Sequence, residues 1–394
     1  MTYCSDAAAK HLTNQFWYLD DGDLLLCDPT DADAKNKVSI TRWNRINQSN
    51  EVQLYVRIHS DICVVPLYVI PGVLMQIKLK KAKPFFHLMN KDAETKTVFK
   101  YLDAQLLVNR VRPSPSLPSA HNIALGKGAL APCNLTRVEL KSIKFSCGVQ
   151  SLSLDNAVLG TVPNRLLFTM VKNTEFLGSV KTNPYHFRHY DLSSFALNVN
   201  GRLDPAEGLY LGMDQDKTSF MEYRTLFEVS GIQHSNSGLQ ITHDMYINGY
   251  IMLLFDLTPD RAASEGHTSN PDNGYIRVQL KFSKPLAEHI TCIFYLEYDN
   301  SGRVDTSRKD RTDLKIYKIM NTTEILCTLK DVRSFLGVFP SDMLRLSVTQ
   351  AGTVIINANP HTEIGSQRIA VHFSQNHRAP ITSIRTVSYR SSPT

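Results

Sequence analysis

The stretch GYIRVQLKF, residues 274–282, carries the clearest structural signal in this 394-residue chain. Its apolar and polar residues alternate strictly, with Ile276, Val278, Leu280 and Phe282 at every second position and Arg277, Gln279 and Lys281 between them. Successive side chains of a β-strand point to opposite faces, so this pattern predicts a strand with one buried and one solvated face.

Further strands are predicted on both sides of this stretch. Phe195, Leu197 and Val199 alternate up to Asn200-Gly201, a residue pair typical of tight hairpin turns. The other strand-like runs are residues 73–80 and the stretches RVELKSIKF, LLFTMVK, YIMLLFDL and CIFYLEYD. Many short strands separated by Pro, Gly, Asn and Asp clusters predict an all-β fold, either a sandwich or a jelly roll.

Few segments of the chain have apolar residues at helical spacing. Residues Thr218 to Gly231 have apolar residues at helical spacing and a glycine as a stop signal. Residues 111–121 contain three prolines and predict an inserted loop within a domain. After a charged stretch at 308–319, Ile325, Leu329, Val332 and Leu336 follow a helical period and predict a helix that includes Cys327.

Composition excludes several classes of protein. No run approaches the roughly 18 apolar residues of a membrane-spanning helix, and the first residues have no signal-peptide pattern. The odd number of scattered cysteines predicts free thiols in a reducing compartment, each a small core residue: Cys4, Cys27, Cys63, Cys133, Cys147, Cys292 and Cys327. The net charge of +6 is spread along the chain, and the lysines of residues 78–83 alternate with apolar residues like the polar face of a strand. We therefore expect no sequence-specific nucleic-acid binding.

Few residues have the spacing typical of a metal site or a catalytic site. His186 and His189 lie three residues apart, but no cysteine or third histidine lies nearby to complete a zinc site. The chain contains no phosphate-binding loop, no nucleophile elbow and no dinucleotide fingerprint. The sequence thus predicts no catalytic residue, no cofactor-binding residue and no metal ligand.

Residues from about Tyr3 to Asp305 resemble the major capsid protein of Polinton (Maverick) elements, virus-like transposons of animal genomes. The resemblance is carried in order by HSDICVVPLYVIPGVLMQIKL, RVRPSPSLPSAHNIALGKG, RVELKSIKFSCG, the long block from Leu154 to Arg202, YRTLFEVSG, DMYINGYIMLLFDLTPD and GYIRVQLKFSKPL. It implies a double jelly roll, two sandwiches per chain with three chains in a pseudo-hexagonal capsomer. The opening strands of that pattern are absent here, so we expect an incomplete first barrel.

The C-terminal part resembles a different protein of the same elements, the adenovirus-type cysteine protease. FLGVFPSDML and GTVIINANPHTEIGSQRIAVHF carry this resemblance. The family pattern has a histidine base where Gln367 stands and an aromatic residue where Arg368 stands, and no residue matches its cysteine nucleophile. The resemblance therefore implies an inactive protease fragment behind a capsid protein, and no enzyme.

These inferences give a domain plan and two functional hypotheses. We expect a partial first jelly roll at 1–93, a second jelly roll at 94–307, a linker at 308–319 and a truncated protease-like α/β fragment at 320–394. The first hypothesis is a degraded capsid protein whose family partners are its own copies, as homotrimers, and a penton-type minor capsid protein. The aromatic-rich segment from Asn183 to Phe195 and the helix from Thr218 to Gly231 are the candidate contributors to its subunit contacts. Such a protein would lie in the host cytoplasm or nucleus, or in a virion, and would not be secreted. The alternative is a β-sandwich that the host has adopted as a binding module.

Overall fold

A computed structural model of the chain describes the residues 10–18, 37–58, 63, 68–70, 73–80, 82, 86, 102–104, 106–107, 111–211, 220–236, 238–239, 241–265, 267, 269–304, 325–330, 345–348 and 353–358. The helices are α1 (Lys37–Ile46), α2 (Ser116–Gly126), α3 (Asn173–Leu177), α4 (Phe220–Val229) and α5 (His243–Gly249), with short 3-10 turns at Leu12–Gln15 and Asn47–Ser49. The strands are β1 (Leu74–Lys80), β2 (Ala131–Phe145), β3 (Ser151–Thr161), β4 (Arg165–Lys172), β5 (Leu192–Val199), β6 (Arg202–Tyr210), β7 (Leu253–Asp256), β8 (Asn273–Phe282), β9 (Ile290–Val304), β10 (Ile325–Lys330), β11 (Arg345–Val348) and β12 (Thr353–Ala358).

The chain divides into two compact units. The first consists of Met1–Thr41, Phe85–Thr95 and Arg137–Asp299, and the second of Arg42–Pro84, Lys96–Thr136 and Asn300–Thr394. The domain bounds expected from the sequence stay a prediction.

Strands β2 to β9 form two four-stranded antiparallel sheets. Their strand orders are β2-β9-β4-β7 and β3-β8-β5-β6. Strands β2 to β5 alternate between the two sheets along the chain, and β6 to β9 do the same in return. Eight strands in these two orders form a jelly roll. The predicted fold class is therefore confirmed, and the strand order itself shows it.

Strand β8 has the two faces that its sequence predicts. Its residues alternate between exposed and buried along its whole length, with Ile276, Val278 and Leu280 fully buried. The hairpin between β5 and β6 also forms as predicted, because Asn200 and Gly201 have φ angles of 51° and 86°. Two successive residues with positive φ define the turn whose twist matches paired strands.

Aromatic side chains join the two sheets. The ring of Phe168 on β4 lies 4.8 Å from the ring of Phe195 on β5 and 5.2 Å from that of Phe294 on β9. The ring of Phe255 on β7 stacks on Phe195 at 5.2 Å. All four residues are buried, so this aromatic cluster is the centre of the core. Cys292 is buried in the same core, whereas Cys63 and Cys147 are exposed, and the prediction of core thiols is wrong for those two.

Helix α4 covers the outer face of β7, an edge strand of the first sheet. It packs against β7, and the amide of Leu254 donates a hydrogen bond of 3.3 Å to the hydroxyl of Thr225. All four residues of β7 are consequently buried, although the strand has two faces. The helix prediction for this region is confirmed, with Gly231 (φ 70°) just beyond its end.

The second unit contains a four-stranded sheet in the order β10-β1-β12-β11. Strand β1 pairs antiparallel with β10, where Ile77 lies opposite Cys327, and with β12, where Ile77 lies opposite Ile356. The predicted helix is therefore wrong for 325–330, since these residues form a strand. Isoleucine and leucine at these spacings fit both periods, and backbone hydrogen bonds to β1 decide between them.

Residues 111–121 also differ from their prediction. They were expected to form a loop because of their prolines, yet helix α2 begins at Ser116 and includes Pro118. The first backbone N–H groups of a helix have no partner within it, so a proline in the first turn removes no hydrogen bond. The prolines therefore mark the start of the helix. The linker predicted at 308–319 lies outside the described residues.

Candidate functional site

The candidate site is a surface formed by two long connections of the jelly roll. The β4–β5 connection, residues 173–191, includes α3, and the β6–β7 connection, residues 211–252, includes α4 and α5. The amide of Phe187 donates to the carbonyl of Gly249 at 2.8 Å, and the amide of Ile251 donates to the carbonyl of Phe187 at 3.2 Å. These backbone bonds join the two connections to each other.

Aromatic contacts also join α4 to α5. The ring of Phe220 stacks on His243 of α5 at 4.4 Å, and the edge of the Tyr223 ring meets the same imidazole at 5.3 Å. The hydroxyl of Tyr223 donates to the carbonyl of Ile241 at 2.6 Å. Helices α4 and α5 and the β4–β5 connection are thus linked contact by contact.

This linked surface exposes several large apolar side chains. Phe220 is 58% exposed and Met221 is 62% exposed, both in the first turn of α4. Leu177 and Tyr185 are exposed on the β4–β5 connection. Single exposed apolar residues are common in monomeric proteins, whereas four on two joined connections are a candidate contact surface for a partner chain. We call these four residues the apolar patch.

The segments that the sequence suggested for subunit contacts overlap this patch only in part. They are Asn183 to Phe195 and Thr218 to Gly231. Phe195 is fully buried and belongs to the core, so that residue is corrected from surface to interior. Leu226 is likewise fully buried beneath α4. Thr218 lies outside the described residues.

The two histidines of the HFRH stretch have separate surroundings. The Nε2 atom of His186 lies 3.2 Å from the carbonyl oxygen of Asn248. The Nδ1 atom of His189 accepts the amide of Asp191 at 3.0 Å, and burial lowers the pKa of His189. Across the described part of the chain, no group of three or more His, Cys, Asp or Glu side chains could hold a metal ion.

An ion network lies at the base of the β4–β5 connection. Arg188 places Nη2 2.9 Å from Oε1 of Glu175 and Nη1 3.4 Å from Oε1 of Glu288. The Nζ atom of Lys172 lies 2.5 Å from Oε2 of Glu288. The network thus joins four charged side chains by ion pairs, one each from β4, α3, the β4–β5 connection and the β8–β9 turn. Sequence patterns do not reveal this network, because Glu175 and Arg188 belong to no spacing motif.

The C-terminal candidates cannot be placed. Gln367 and Arg368 lie outside the described residues, so the inactive protease fragment stays a prediction. In the part of the chain that is described, no helix is long and apolar enough to cross a membrane.

Comparisons with known sequences give one distant relative. No protein-family model matches the chain. A Caenorhabditis elegans protein described as uncharacterized is 23% identical over 226 residues, which are 56% of this chain and 53% of that protein. The chain thus spans about half the length of the curated relative that it matches.

Comparisons with solved structures give weak similarities to viral proteins. A chain of the Sputnik virophage aligns at a TM-score of 0.32 and 9% identity, over 54% of this chain and 42% of that one. The mavirus major capsid protein aligns at 0.26 and 11% identity, over 48% and 42% respectively. A chain of the PBCV-1 virus capsid aligns at 0.27 and 10% identity, over 45% and 50%. The strand order, rather than these low scores, identifies the jelly roll.

Proposed function

We propose that the chain is a capsid-type structural protein that works by associating with its own copies, without catalysis or a cofactor. The observation that carries the proposal is the jelly-roll strand order of β2 to β9. Jelly rolls recur in viral capsid subunits. The same residues contain most of the sequence blocks through which the chain resembles the Polinton capsid protein. Because one fold hosts many functions, the fold and the resemblance are needed together.

The apolar patch supports self-association. A contact between protein subunits needs a central set of apolar or aromatic side chains that lose their water on assembly. Phe220 and Met221 are well placed for this, since α4 is anchored to β7 from below and exposes both residues. A rigid support keeps the entropy lost on binding small.

The proposal extends to the origin of the chain. We infer that the chain derives from a Polinton (Maverick) element and that its C-terminal part derives from the protease of the same elements. In this proposal the assembled form is a homotrimer that meets a penton-type minor capsid protein within a virion. The resemblance and the order of its sequence blocks support these details.

The test compares two proteins by light scattering after size-exclusion chromatography. One is the chain as printed, and the other carries in addition the opening strands of the first jelly roll from a family member. We expect monomers or ill-defined aggregates from the first and trimers from the second, because a heterologous ring needs both halves of each contact. A monodisperse monomer from the extended protein would contradict the proposal and favour the binding module.

A pair of variants links the assembly to the apolar patch. Phe220→Ser with Met221→Ser in the extended protein should shift trimers to monomers. Tyr210→Ser is the control, since Tyr210 on β6 is 79% exposed but lies outside the patch. If both proteins stay trimeric, the contact lies elsewhere on the surface.

A further inference from the structure

The chain contains three Asn-Gly pairs, at 200–201, 248–249 and 273–274. Asparagine followed by glycine is the pair that deamidates most readily, because glycine has no side chain to hinder attack by its own backbone nitrogen. The first pair forms the turn of the β5–β6 hairpin, and both of its residues are exposed to water. This hairpin is therefore a place where the chain could be modified without an enzyme.

Deamidation at this pair would take two steps. The backbone nitrogen of Gly201 loses its proton and attacks Cγ of Asn200, so that a bond forms between these two atoms. The bond between Cγ and Nδ2 breaks, and Nδ2 takes up a proton and leaves as ammonia. Water then opens the resulting succinimide ring at either carbonyl, which gives aspartate or isoaspartate. The reaction thus needs a free Gly201 nitrogen and an Asn200 side chain that can reach it.

The folded hairpin engages both reacting groups with other partners. The N–H of Gly201 donates to Oδ1 of Asn198 at 2.9 Å. Oδ1 of Asn200 accepts the amide of Tyr275 at 2.9 Å, and Nδ2 of Asn200 donates to Oδ2 of Asp272 at 3.3 Å. The attacking nitrogen and the side chain that it would attack are therefore both held apart from the reaction.

Strand β8 provides the seat for the Asn200 side chain. The last paired residues of β5 and β8 are Val199 and Ile276. Beyond them, the backbone N–H of Asn200 donates to the carbonyl of Tyr275 at 3.1 Å, while the Asn200 side-chain oxygen accepts the Tyr275 amide. The side chain thus adds one more position to the ladder. Gly274 leaves the space that it needs, since a Cβ at residue 274 would overlap Oδ1, Cγ and Nδ2 of Asn200.

We propose that Asn200 is a deamidation site that the closed hairpin shields, and that it reacts only when the hairpin opens from β8. The product no longer fits the seat. Its carboxylate lies beside Asp272 in place of the amide that donated a hydrogen bond, and two like charges repel. Isoaspartate also adds a methylene group to the main chain of the turn. Each opening that leads to reaction therefore leaves a permanent mark on the hairpin.

Peptide mapping by mass spectrometry tests this proposal on the whole chain at a fixed, mildly alkaline pH. Deamidation at Asn200 should be at least about tenfold slower in the folded chain than in urea, because local opening costs free energy. In the folded state, Gly274→Ala displaces the Asn200 side chain and should accelerate the reaction about fivefold to tenfold, as expected for lost hydrogen bonds. Gly238→Ala is the matched control and should leave the rate unchanged, since a Cβ there meets no atom within 4 Å.

The pair at 248–249 is an internal reference in every sample. Nδ2 of Asn248 donates to the carbonyl of Asp244 within α5 at 2.8 Å, so its rate should not respond to Gly274→Ala. Equal acceleration at Asn248 would mean that the variant loosens the whole fold, and this would contradict the proposed shield.

Two further results would overturn the proposal. One is an equal rate at Asn200 in the folded and the unfolded chain, and the other is an unchanged rate in folded Gly274→Ala. If Gly274→Ala does not fold, Asn198→Ala replaces it, because this variant removes the acceptor of the Gly201 N–H and should also accelerate deamidation. No acceleration in Asn198→Ala would likewise contradict the shield. None of these rates depends on the proposed function.

Discussion

The two sheets of the jelly roll share one core but differ on their outer faces. In the sheet β2-β9-β4-β7, helix α4 covers β7, and outward residues such as Val171 and Thr169 are buried. In the sheet β3-β8-β5-β6, the outward residues of β8 are exposed, among them Arg277 and Gln279. The first sheet is therefore covered on its β4 and β7 side, whereas the second has an open outer face.

This difference decides how each strand looks in the sequence. A strand with one solvated face alternates between apolar and polar residues, as β8 does. A strand covered on both faces lacks the alternation, as in β7, where Leu253, Leu254 and Phe255 follow one another and all four residues, including Asp256, are buried. The long β6–β7 connection supplies the helix that covers β7, so the connection belongs to the core as well as to the surface.

The largest expected effect lies in the layer that both sheets share. Phe168→Ala removes a ring that contacts Phe195 across the sandwich and Phe294 on the neighbouring strand β9. The free energy of unfolding, measured with urea, should fall by about 3–5 kcal/mol because a large buried ring leaves a cavity. Phe168→Leu is the control and should lose clearly less, and equal losses would place the ring outside the shared core.

A smaller effect should follow from loosening the cover of the first sheet alone. Leu226→Ala truncates a fully buried side chain of α4 and should lower the free energy of unfolding by about 3 kcal/mol. Met221→Ala on the same helix should change it by no more than about 0.5 kcal/mol, since Met221 is exposed. Similar losses in the two variants would show that α4 is not the cover described.

The hydrogen bond between helix and strand should contribute less again. Thr225→Val keeps the shape of the side chain but removes the acceptor of the Leu254 amide. We expect a loss of about 1 kcal/mol in the free energy of unfolding, the usual net value for one such bond plus the unpaired amide. Thr225→Ser retains the hydroxyl and should retain most of the stability. If Thr225→Val leaves the free energy of unfolding unchanged, the helix is held by apolar contacts alone.

The smallest effect is expected on the open sheet. Arg277 pairs with Asp155 at 2.9 Å, and both side chains are exposed. Exposed ion pairs contribute little, so Arg277→Ala should change the free energy of unfolding by about 0.5 kcal/mol or less. Added salt should reduce this small difference in the free energy of unfolding further. A loss as large as that of Leu226→Ala would break the comparison, because it would mean that the outer face of the second sheet is covered too.

Part of the fold could be predicted because it depends on local patterns. The faces of β8 and the turn at Asn200-Gly201 follow from alternation and from residues that accept positive φ. Other elements escaped such rules. Helix α2 begins within a proline-rich stretch, and residues 325–330 pair with β1 although their spacing also fits a helix.

The candidate site was less accessible to sequence reasoning. The spacing of His186 and His189 raised the question of a zinc site, but their ring atoms contact different backbone groups. The aromatic-rich segment at 183–195 was expected to contribute to a subunit contact. It contains both a core residue, Phe195, and an exposed residue, Tyr185. Alternation places Phe195 on the apolar face of a strand, whereas Tyr185 lies in a connection without a period, so only the folded structure shows that it is exposed.

The sequence by itself determined the all-β class, the inward face of β8 and the hairpin at Asn200-Gly201, since each depends on residues that are neighbours in the chain. Only the tertiary structure decided which sheet is covered and where the ion network forms. Arg188 meets Glu175 across 13 residues and Glu288 across 100 residues. Contacts of that range exist only after the strands have been placed in their sheets, because strand pairing, and no local preference, brings such side chains together.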